Sequence, residues 1–107
     1  MPKKSRSPLL TPTLVQERLQ MWGRSIRSQR VARQIRAADL CTRIGISDAT
    51  LRRVERGDPG AGAAVYLSAL MALGLLDVVA PALDPVFWQQ PATARARPSS
   101  FDEDDDF

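Results

Sequence analysis

The arginines of the stretch SDATLRRVERG, residues 47–57, are the side chains of this chain best suited to binding chemistry. A guanidinium presents its N–H groups in a rigid planar fork that fits anionic oxygens, so the stretch suits a polyanion. Ser47 is a good helix N-cap and Gly57 a good terminator, which predicts a short helix between them. In that helix Leu51 and Val54 would face inward. The residues left facing outward are Thr50, Arg52, Arg53 and Arg56.

The charge of the chain is divided between its two halves. Residues 1–57 contain 13 Lys or Arg and 4 Asp or Glu, a net charge of +9. Residues 58–107 contain 2 Lys or Arg and 8 Asp or Glu, a net charge of −6, which leaves +3 for the whole chain. A basic half attracts a polyanion and an acidic half repels one, so the division predicts two different partners.

The residue inventory excludes several classes of site. The 107 residues include no histidine and one cysteine, Cys41, which excludes an intrachain disulfide, a Cys/His zinc site and a histidine-dependent triad. We therefore expect no enzymatic activity, no metal and no cofactor, and a buried, inert Cys41. No apolar run reaches the roughly 18 residues of a membrane helix, so we expect a cytoplasmic protein without a membrane partner.

Helix signals and breakers predict an all-α fold of about five helices, with residues 11–85 as the folded domain. The first helix would run from Thr13 to about Arg33. Its apolar side contains Leu14, Leu19, Trp22, Ile26 and Val31. A later helix, from about Gly62 to Leu73, has a broad apolar side that would form core and leave surplus surface for a dimer seam.

The two ends of the chain differ from the domain in composition. Residues 1–10 are rich in Pro, Ser and Lys and predict a flexible basic arm. Residues 86–107 predict a mostly disordered tail that ends in the acidic-aromatic string FDEDDDF. Within this tail, the string VFWQQ at residues 86–90 is too short to assign and fits either an edge strand or an aromatic plug.

The string ADLCTRIGISDATLRRVERG, residues 38–57, has the pattern of two helices joined by a turn. Gly45 would turn the chain, because glycine adopts the left-handed conformation without penalty. Ile46, Leu51 and Val54 would hold the second helix at a steep angle to the first. The small residues that let the helices cross closely are Ala37, Ala38 and Cys41. The second helix would then project from the domain, and the major groove of B-DNA, about 12 Å wide, accepts such a helix.

The segment WGRSIRSQRVARQIRAADLCTRIGISDATLRRVERGDPGAGAAVYLSALMALGLLD resembles the helix-turn-helix family of the phage lambda and Cro repressors, the Xre family. The resemblance covers about residues 22–80 without a gap. Its frame consists of Gly23, Ile26, Arg30, Leu40, Gly45-Ile46-Ser47, Leu51, Glu55-Arg56-Gly57 and Leu73-Gly74. Within the family, LRRVERGDPG and ALMALGLLD with ALDP are most similar to the HipB-type antitoxins, the DNA-binding partners of HipA-type kinase toxins.

The resemblance implies roles for the residues around the second helix. Contacts with base edges would come from Asp48, Ala49 and Arg53. An arginine forks onto guanine O6 and N7, and a carboxylate accepts from cytosine N4. Contacts with the DNA backbone or flanking bases would come from Arg36, Arg43, Ser47, Thr50 and Arg52. The motif itself would be held by Leu40, Gly45, Ile46, Leu51, Val54, Glu55 and Gly57, with Glu55 paired to an arginine, first of all Arg30.

One departure from the family concerns the start of the first motif helix. Many members have a Ser or Thr cap there, followed by a Gln that contacts phosphate, whereas this chain has Arg36 and Ala37. The cap hydrogen bond is therefore lost. We expect Arg36 itself to supply the phosphate contact at this position.

The family implies a homodimeric transcriptional repressor that binds an operator in double-stranded DNA at a prokaryotic nucleoid. The HipB-type likeness implies the antitoxin of a HipBA-like type II toxin–antitoxin system, which represses its own operon and binds a HipA-like kinase toxin. The alternative is a protein-interaction module that neutralises a partner enzyme through its C-terminal region, with DNA binding secondary. The tail fits either a solubilising end or a partner-binding motif with Phe101, Asp102 and Phe107.

Overall fold

In the computed structural model the described part of the chain is residues 10–91, which form helices and turns and contain no strand. The five α-helices are α1 (Thr13–Ala32), α2 (Ala37–Ile44), α3 (Asp48–Glu55), α4 (Ala63–Ala72) and α5 (Leu76–Val79). Short 3-10 turns occupy Pro59–Ala61 and Pro85–Phe87. The predicted all-α class is confirmed. None of the helices in this part of the chain combines the length and the apolar character that crossing a membrane requires.

The turn between α2 and α3 is set by two residues that the sequence singles out. Gly45 has a φ of 74°, and its N–H and that of Ile46 both donate to the carbonyl of Cys41, at 2.8 and 3.0 Å. Ser47 then caps α3, since its Oγ accepts from the N–H of Thr50 at 3.1 Å. A left-handed stop and a side-chain cap two residues apart fix where one helix ends and the next begins.

The core lies where the first four helices meet. Ile26 of α1, Leu40 of α2, Leu51 and Val54 of α3 and Leu70 of α4 are each at most 2% exposed. The remaining core residues are Cys41, Tyr66, Ala69 and Leu73. Loss of one such leucine side chain costs about 2–5 kcal/mol, so the inward side of α3 is held firmly against the rest of the domain.

The helices α1 and α3 approach each other closely at Gly23. A β-carbon on this residue would lie 2.4 Å from the carbonyl oxygen of Val54 and 2.8 Å from that of Glu55. Contacts this short would force the two helices apart. Glycine therefore permits the close crossing that sets the orientation of α3.

Two residues expected on the apolar side of α1 are largely exposed, Leu14 by 61% and Val31 by 53%. The reason is their position around the helix. The buried residues of α1 are Gly23, Ile26 and Arg30, the last of which lies in the final turn. At 3.6 residues per turn, Val31 points about 100° and Leu14 about 150° away from the middle of that buried side. The middle of α1 is where Ile26 is buried and where Leu19 and Trp22 pack against the core.

The segment VFWQQ forms neither a strand nor a plug, so both expectations for residues 86–90 are wrong. Its first residues belong to the 3-10 turn, in which Asp84 Oδ1 accepts from the N–H of Val86 at 2.9 Å. Trp88 Nε1 donates to the carbonyl of Leu83 at 3.2 Å, yet Phe87 and Trp88 are 73% and 64% exposed. Its hydrogen bonds close locally, so the segment needs no neighbouring strand.

The two chain ends fall beyond the described residues. The predicted basic arm is outside them except for Leu10, and so is the tail from residue 92 onward. The tail residues proposed to bind a partner, Phe101, Asp102 and Phe107, therefore also lie outside the described residues.

Candidate nucleic-acid interface

The outer side of α3 carries most of the residues expected to contact DNA. Asp48, Ala49, Arg52 and Arg56 are exposed, while Leu51 and Val54 are buried on the opposite side. At 3.6 residues per turn, Ala49 and Arg56 lie along the middle of the outer side. Arg52 and Arg53 flank that line from opposite directions. The helix thus presents arginines on both flanks of its exposed ridge.

The inner end of α3 is tied to α1 by a buried ion pair. Arg30 Nε donates to Glu55 Oε2 at 2.8 Å and Arg30 Nη2 to Glu55 Oε1 at 3.2 Å, with the two side chains 11% and 8% exposed. Arg30 Nη1 also donates to the carbonyl of Ile35 at 3.1 Å, and Arg27 approaches Glu55 Oε1 at 3.6 Å. The hydrogen bond with Glu55 raises the pKa of Arg30 above its usual value. The predicted pairing of Glu55 with Arg30 is confirmed.

Arg53, expected to contact a base, is itself paired with a carboxylate of this chain. Its Nε donates to Asp58 Oδ2 at 3.0 Å, and the two side chains are 39% and 31% exposed. The N–H of Gly60 and then the Arg53 guanidinium hold the pKa of the Asp58 carboxyl below its usual value. Arg53 is therefore half-exposed and oriented, whereas Arg52 is exposed and makes no ion pair within residues 10–91.

The hydroxyls of Ser47 and Thr50 serve the start of α3. Besides accepting from the Thr50 N–H, Ser47 Oγ donates to Thr50 Oγ1 at 3.0 Å. Because Ser47 donates this bond, the hydrogen of the Thr50 hydroxyl stays available to an outside acceptor. Both residues lie at the start of α3, Ser47 as its cap and Thr50 in its first turn.

The two arginines at the ends of α2 that are expected near the DNA backbone make different contacts. Arg36, the residue before α2, is exposed and makes no cap hydrogen bond, and its Nε lies 3.5 Å from Asp39 Oδ2 at the surface. Arg43 Nη1 donates to the carbonyl of Ala72 at 3.3 Å. Arg33 Nη1 likewise donates to the carbonyl of Leu73, at 2.5 Å. The helix α4 has no basic residue in its own last turn, so these two arginines supply the positive charge that favours its carbonyl end.

Cys41 is buried, 5% exposed, and its Sγ donates to the carbonyl of Ser47 at 3.6 Å. Burial, and next the neighbouring Asp48 carboxylate, raise the pKa of the thiol. A thiol with a raised pKa stays protonated and is a poor nucleophile, and the expected burial of Cys41 is confirmed. Within residues 10–91 there is also no cluster of three His, Cys, Asp or Glu side chains able to hold a metal ion.

The frame residues of the motif lie where the sequence predicts, and two further residues enter the site. Leu40, Leu51 and Val54 are in the core. Gly57 has a φ of 80°, and a β-carbon there would lie 2.6 Å from the Cα of Gln20 in α1. The two further residues are Arg56, which is predicted to face outward but is not among the predicted DNA contacts, and Asp58, the partner of Arg53, which the sequence does not single out. Arg56 lies on the ridge seven positions after Ala49, so helical spacing alone places it beside the predicted contacts.

Comparison with protein-family models, with curated proteins and with solved structures finds no match for this chain. What the chain binds must therefore be inferred from its own residues and their positions.

Proposed function

We propose that this chain is a sequence-specific DNA-binding protein of the helix-turn-helix type, in which α3 enters the major groove. The observation that carries the proposal is the two-sidedness of α3. Its inner side is fixed by Leu51 and Val54 in the core and by the Glu55–Arg30 pair, while Arg52 and Arg56 stand exposed on its outer side. A rigid helix with a free basic side fits a groove lined by phosphates.

The proposed contacts follow from how each side chain is held. Exposed arginines that no buried partner holds can adapt to phosphates, so Arg52, Arg56 and Arg36 are assigned to the DNA backbone. Ala49, on the ridge, fits against a thymine methyl, and Asp48 can accept from cytosine N4. Arg43 is assigned a smaller part than the family resemblance implies, because its guanidinium already bonds the end of α4.

We further propose that the chain acts as a homodimeric repressor. Two copies of α3 would read half-sites in successive major grooves, about 34 Å apart. The resemblance to HipB-type antitoxins extends this to repression of its own operon and to binding of a HipA-like kinase toxin. DNA sequences that the protein enriches would then show two related half-sites, separated centre to centre by about one helical turn.

A second candidate function, neutralisation of a partner enzyme through the C-terminal region, is favoured by the exposed turn at residues 85–88. Val86, Phe87 and Trp88 are 74%, 73% and 64% exposed, although aromatic side chains gain most from burial. Capture of a HipA-like kinase by the full chain is compared with capture by a Phe87→Ser/Trp88→Ser variant and by a chain lacking residues 98–107. Loss of capture with intact DNA binding supports this function, and undiminished capture by both variants contradicts it.

The DNA-binding proposal is tested by selection from a random-sequence duplex library, followed by titration of the enriched duplex at several salt concentrations. An Arg52→Ala/Arg56→Ala variant should bind every duplex more weakly, and its salt slope should fall by about one for each phosphate that it no longer neutralises. The matched control is Arg18→Ala/Arg24→Ala, which removes the same charge from α1. Arg24 lines a groove with Leu75 and Val78, and Arg18 lines another with Leu14 and Trp22. No residue of α3 lines either groove.

Two outcomes contradict the proposal. One is the failure of the unaltered protein to enrich any duplex. The other is an equal loss of affinity in the α3 variant and in the α1 control, which would mean that net charge alone attracts the DNA and that α3 has no special place in binding.

A further inference from the structure

The end of α3 places Asp58 beside Arg53 through backbone hydrogen bonds. The N–H of Gly57 donates to the carbonyl of Val54 at 2.9 Å, and the N–H of Asp58 donates to the carbonyl of Arg53 at 3.0 Å. With Gly57 at a φ of 80°, these two bonds make a Schellman motif. The motif folds the chain back by one turn, so that residues five apart become neighbours.

The position of Asp58 is fixed by contacts beyond this motif. Its Oδ1 accepts from the N–H of Gly60 at 2.7 Å, and its carbonyl accepts from the Tyr66 hydroxyl at 2.9 Å. Tyr66 is a core residue, 1% exposed, and burial raises its pKa to about 12, so the hydroxyl remains a donor. The carboxylate that receives Arg53 is therefore anchored both to its own turn and to α4.

The bond to Asp58 leaves the recognition end of the Arg53 side chain available. It uses Nε, at 3.0 Å from Oδ2, and within residues 10–91 no hydrogen bond involves the terminal nitrogens Nη1 and Nη2. Those two nitrogens carry four N–H groups in one plane. Two parallel N–H groups are what guanine O6 and N7 accept in the major groove.

We propose that Asp58 is a positioning residue that orients Arg53 to read a guanine. The inference rests on the proposed function, since it requires the outer side of α3 to lie in the major groove. An arginine held in place before binding loses less conformational freedom when it meets a base. It is also kept from swinging to a nearby phosphate, as the exposed Arg52 and Arg56 are free to do. Arg53 thereby supplies base selectivity, and its two neighbours supply general affinity.

The test uses the full chain and the duplex enriched from the random library, with each position changed in turn to the other three bases. Arg53→Ala should lose the preference for guanine at one position, by roughly tenfold to a hundredfold. Asp58→Asn should lose several-fold of the preference at that same position and leave affinity for the other three bases unchanged. Combined with Arg53→Ala, it should cause no further loss of preference.

A second variant, Arg53→Lys, keeps the charge but cannot form the fork. It should lose the guanine preference while retaining most of the affinity, and thermal melting checks that each variant is folded. If Asp58→Asn does not fold, the fate of the preference in Asp58→Ser and Arg53→Lys decides the matter. A purely structural role for Asp58 would lower affinity for all sequences alike and would do so in the Arg53→Ala background as well.

The possible failures are distinguishable. If the unaltered protein enriches a duplex but Asp58→Asn keeps the full guanine preference, the positioning role is overturned and the proposed function stands. If Arg53→Ala alters no base preference, the inference is likewise overturned. If the unaltered protein binds no duplex, the proposed function falls and this inference falls with it.

Discussion

Two ion pairs involve residues on different sides of α3, and they differ in how far they are buried. Glu55 and Arg30 are nearly buried, at 8% and 11% exposure, and join α3 to α1 across 25 residues of sequence. Arg53 and Asp58 are 39% and 31% exposed and lie five residues apart. The same chemistry thus fixes the helix to its scaffold on one side and orients a side chain toward solvent on the other.

Burial, rather than distance, separates the roles of the two ion pairs. The short contacts measure 2.8 Å in the inner pair and 3.0 Å in the outer pair. When its partner is removed, a buried charge cannot be solvated by water, so the loss is costly. A half-exposed charge can be solvated by water instead, so the loss is small. The inner pair should therefore matter mainly for stability, and the outer pair mainly for binding.

The largest expected effect comes from removing the inner carboxylate. Glu55→Ala leaves Arg30 buried without its partner, and this should lower the free energy of unfolding by about 3–5 kcal/mol. Urea unfolding followed by circular dichroism measures the change. If the free energy of unfolding falls by no more than for an ordinary surface substitution, the inner pair is not the stabilising one and the contrast with the outer pair is contradicted.

A smaller loss is expected at the crossing of α1 and α3. Gly23→Ala places a β-carbon against the Val54 and Glu55 carbonyls, and overpacking of this kind costs about 1–3 kcal/mol. Because the shift moves α3 relative to α1, it should lengthen the Glu55–Arg30 contact and leave Arg53–Asp58 intact. The Nε–H signals of the two arginines in an NMR spectrum report on each pair separately. Equal perturbation of both signals would show that the Arg53–Asp58 pair also depends on the packing of α3 against α1.

The outer pair should contribute to stability only above acidic pH. The N–H of Gly60 and then the Arg53 guanidinium hold the pKa of Asp58 below its ordinary 3.8 in the folded protein. The ionised carboxylate therefore stabilises the fold above about pH 4, and this contribution, of which the pair is one part, disappears as the pH falls through the folded-state pKa. The full contribution is less than about 1 kcal/mol, because both side chains remain partly hydrated. Comparing the unfolding of the unaltered protein and of Asp58→Asn from neutral pH to about pH 2 checks this. A stability difference that persists at the acidic end would contradict it.

The smallest effect is expected from the surface pair of Arg36 and Asp39. Its side chains are 81% and 63% exposed and 3.5 Å apart. Asp39→Ala should change the free energy of unfolding by less than about 0.5 kcal/mol. Asp39→Ala serves as the matched carboxylate control for Glu55→Ala. A comparable loss of stability in both variants would mean that burial does not determine how much each ion pair contributes to the free energy of unfolding.

The parts of the fold that the sequence predicts are those with a local signal. Gly45 and Ser47 are a stop and a cap whose chemistry does not depend on distant residues, and both lie where expected. The pairing of Glu55 with Arg30 is long-range, but it follows from the resemblance to a known frame. Leu51 and Val54 are apolar residues three positions apart among polar ones, and this spacing identifies the inner side of α3.

The parts that escape prediction depend on tertiary contacts. Gln34 takes a left-handed φ of 57° after α1, at a position with no glycine to mark it. Arg33 and Arg43 bond the end of α4 from 40 and 29 residues away, which composition and spacing cannot show. The partner of Arg53 follows only once Gly57 is known to turn the chain back at the end of α3.

The proposal that the outer side of α3 enters a DNA groove can be tested by mapping amide NMR shifts when the enriched duplex is added to the full chain. We expect the largest changes at residues 47–53 and at Arg56, with smaller ones at Arg36. Changes confined to the segment after α5, or absent from α3 while the duplex remains bound, would contradict the claim.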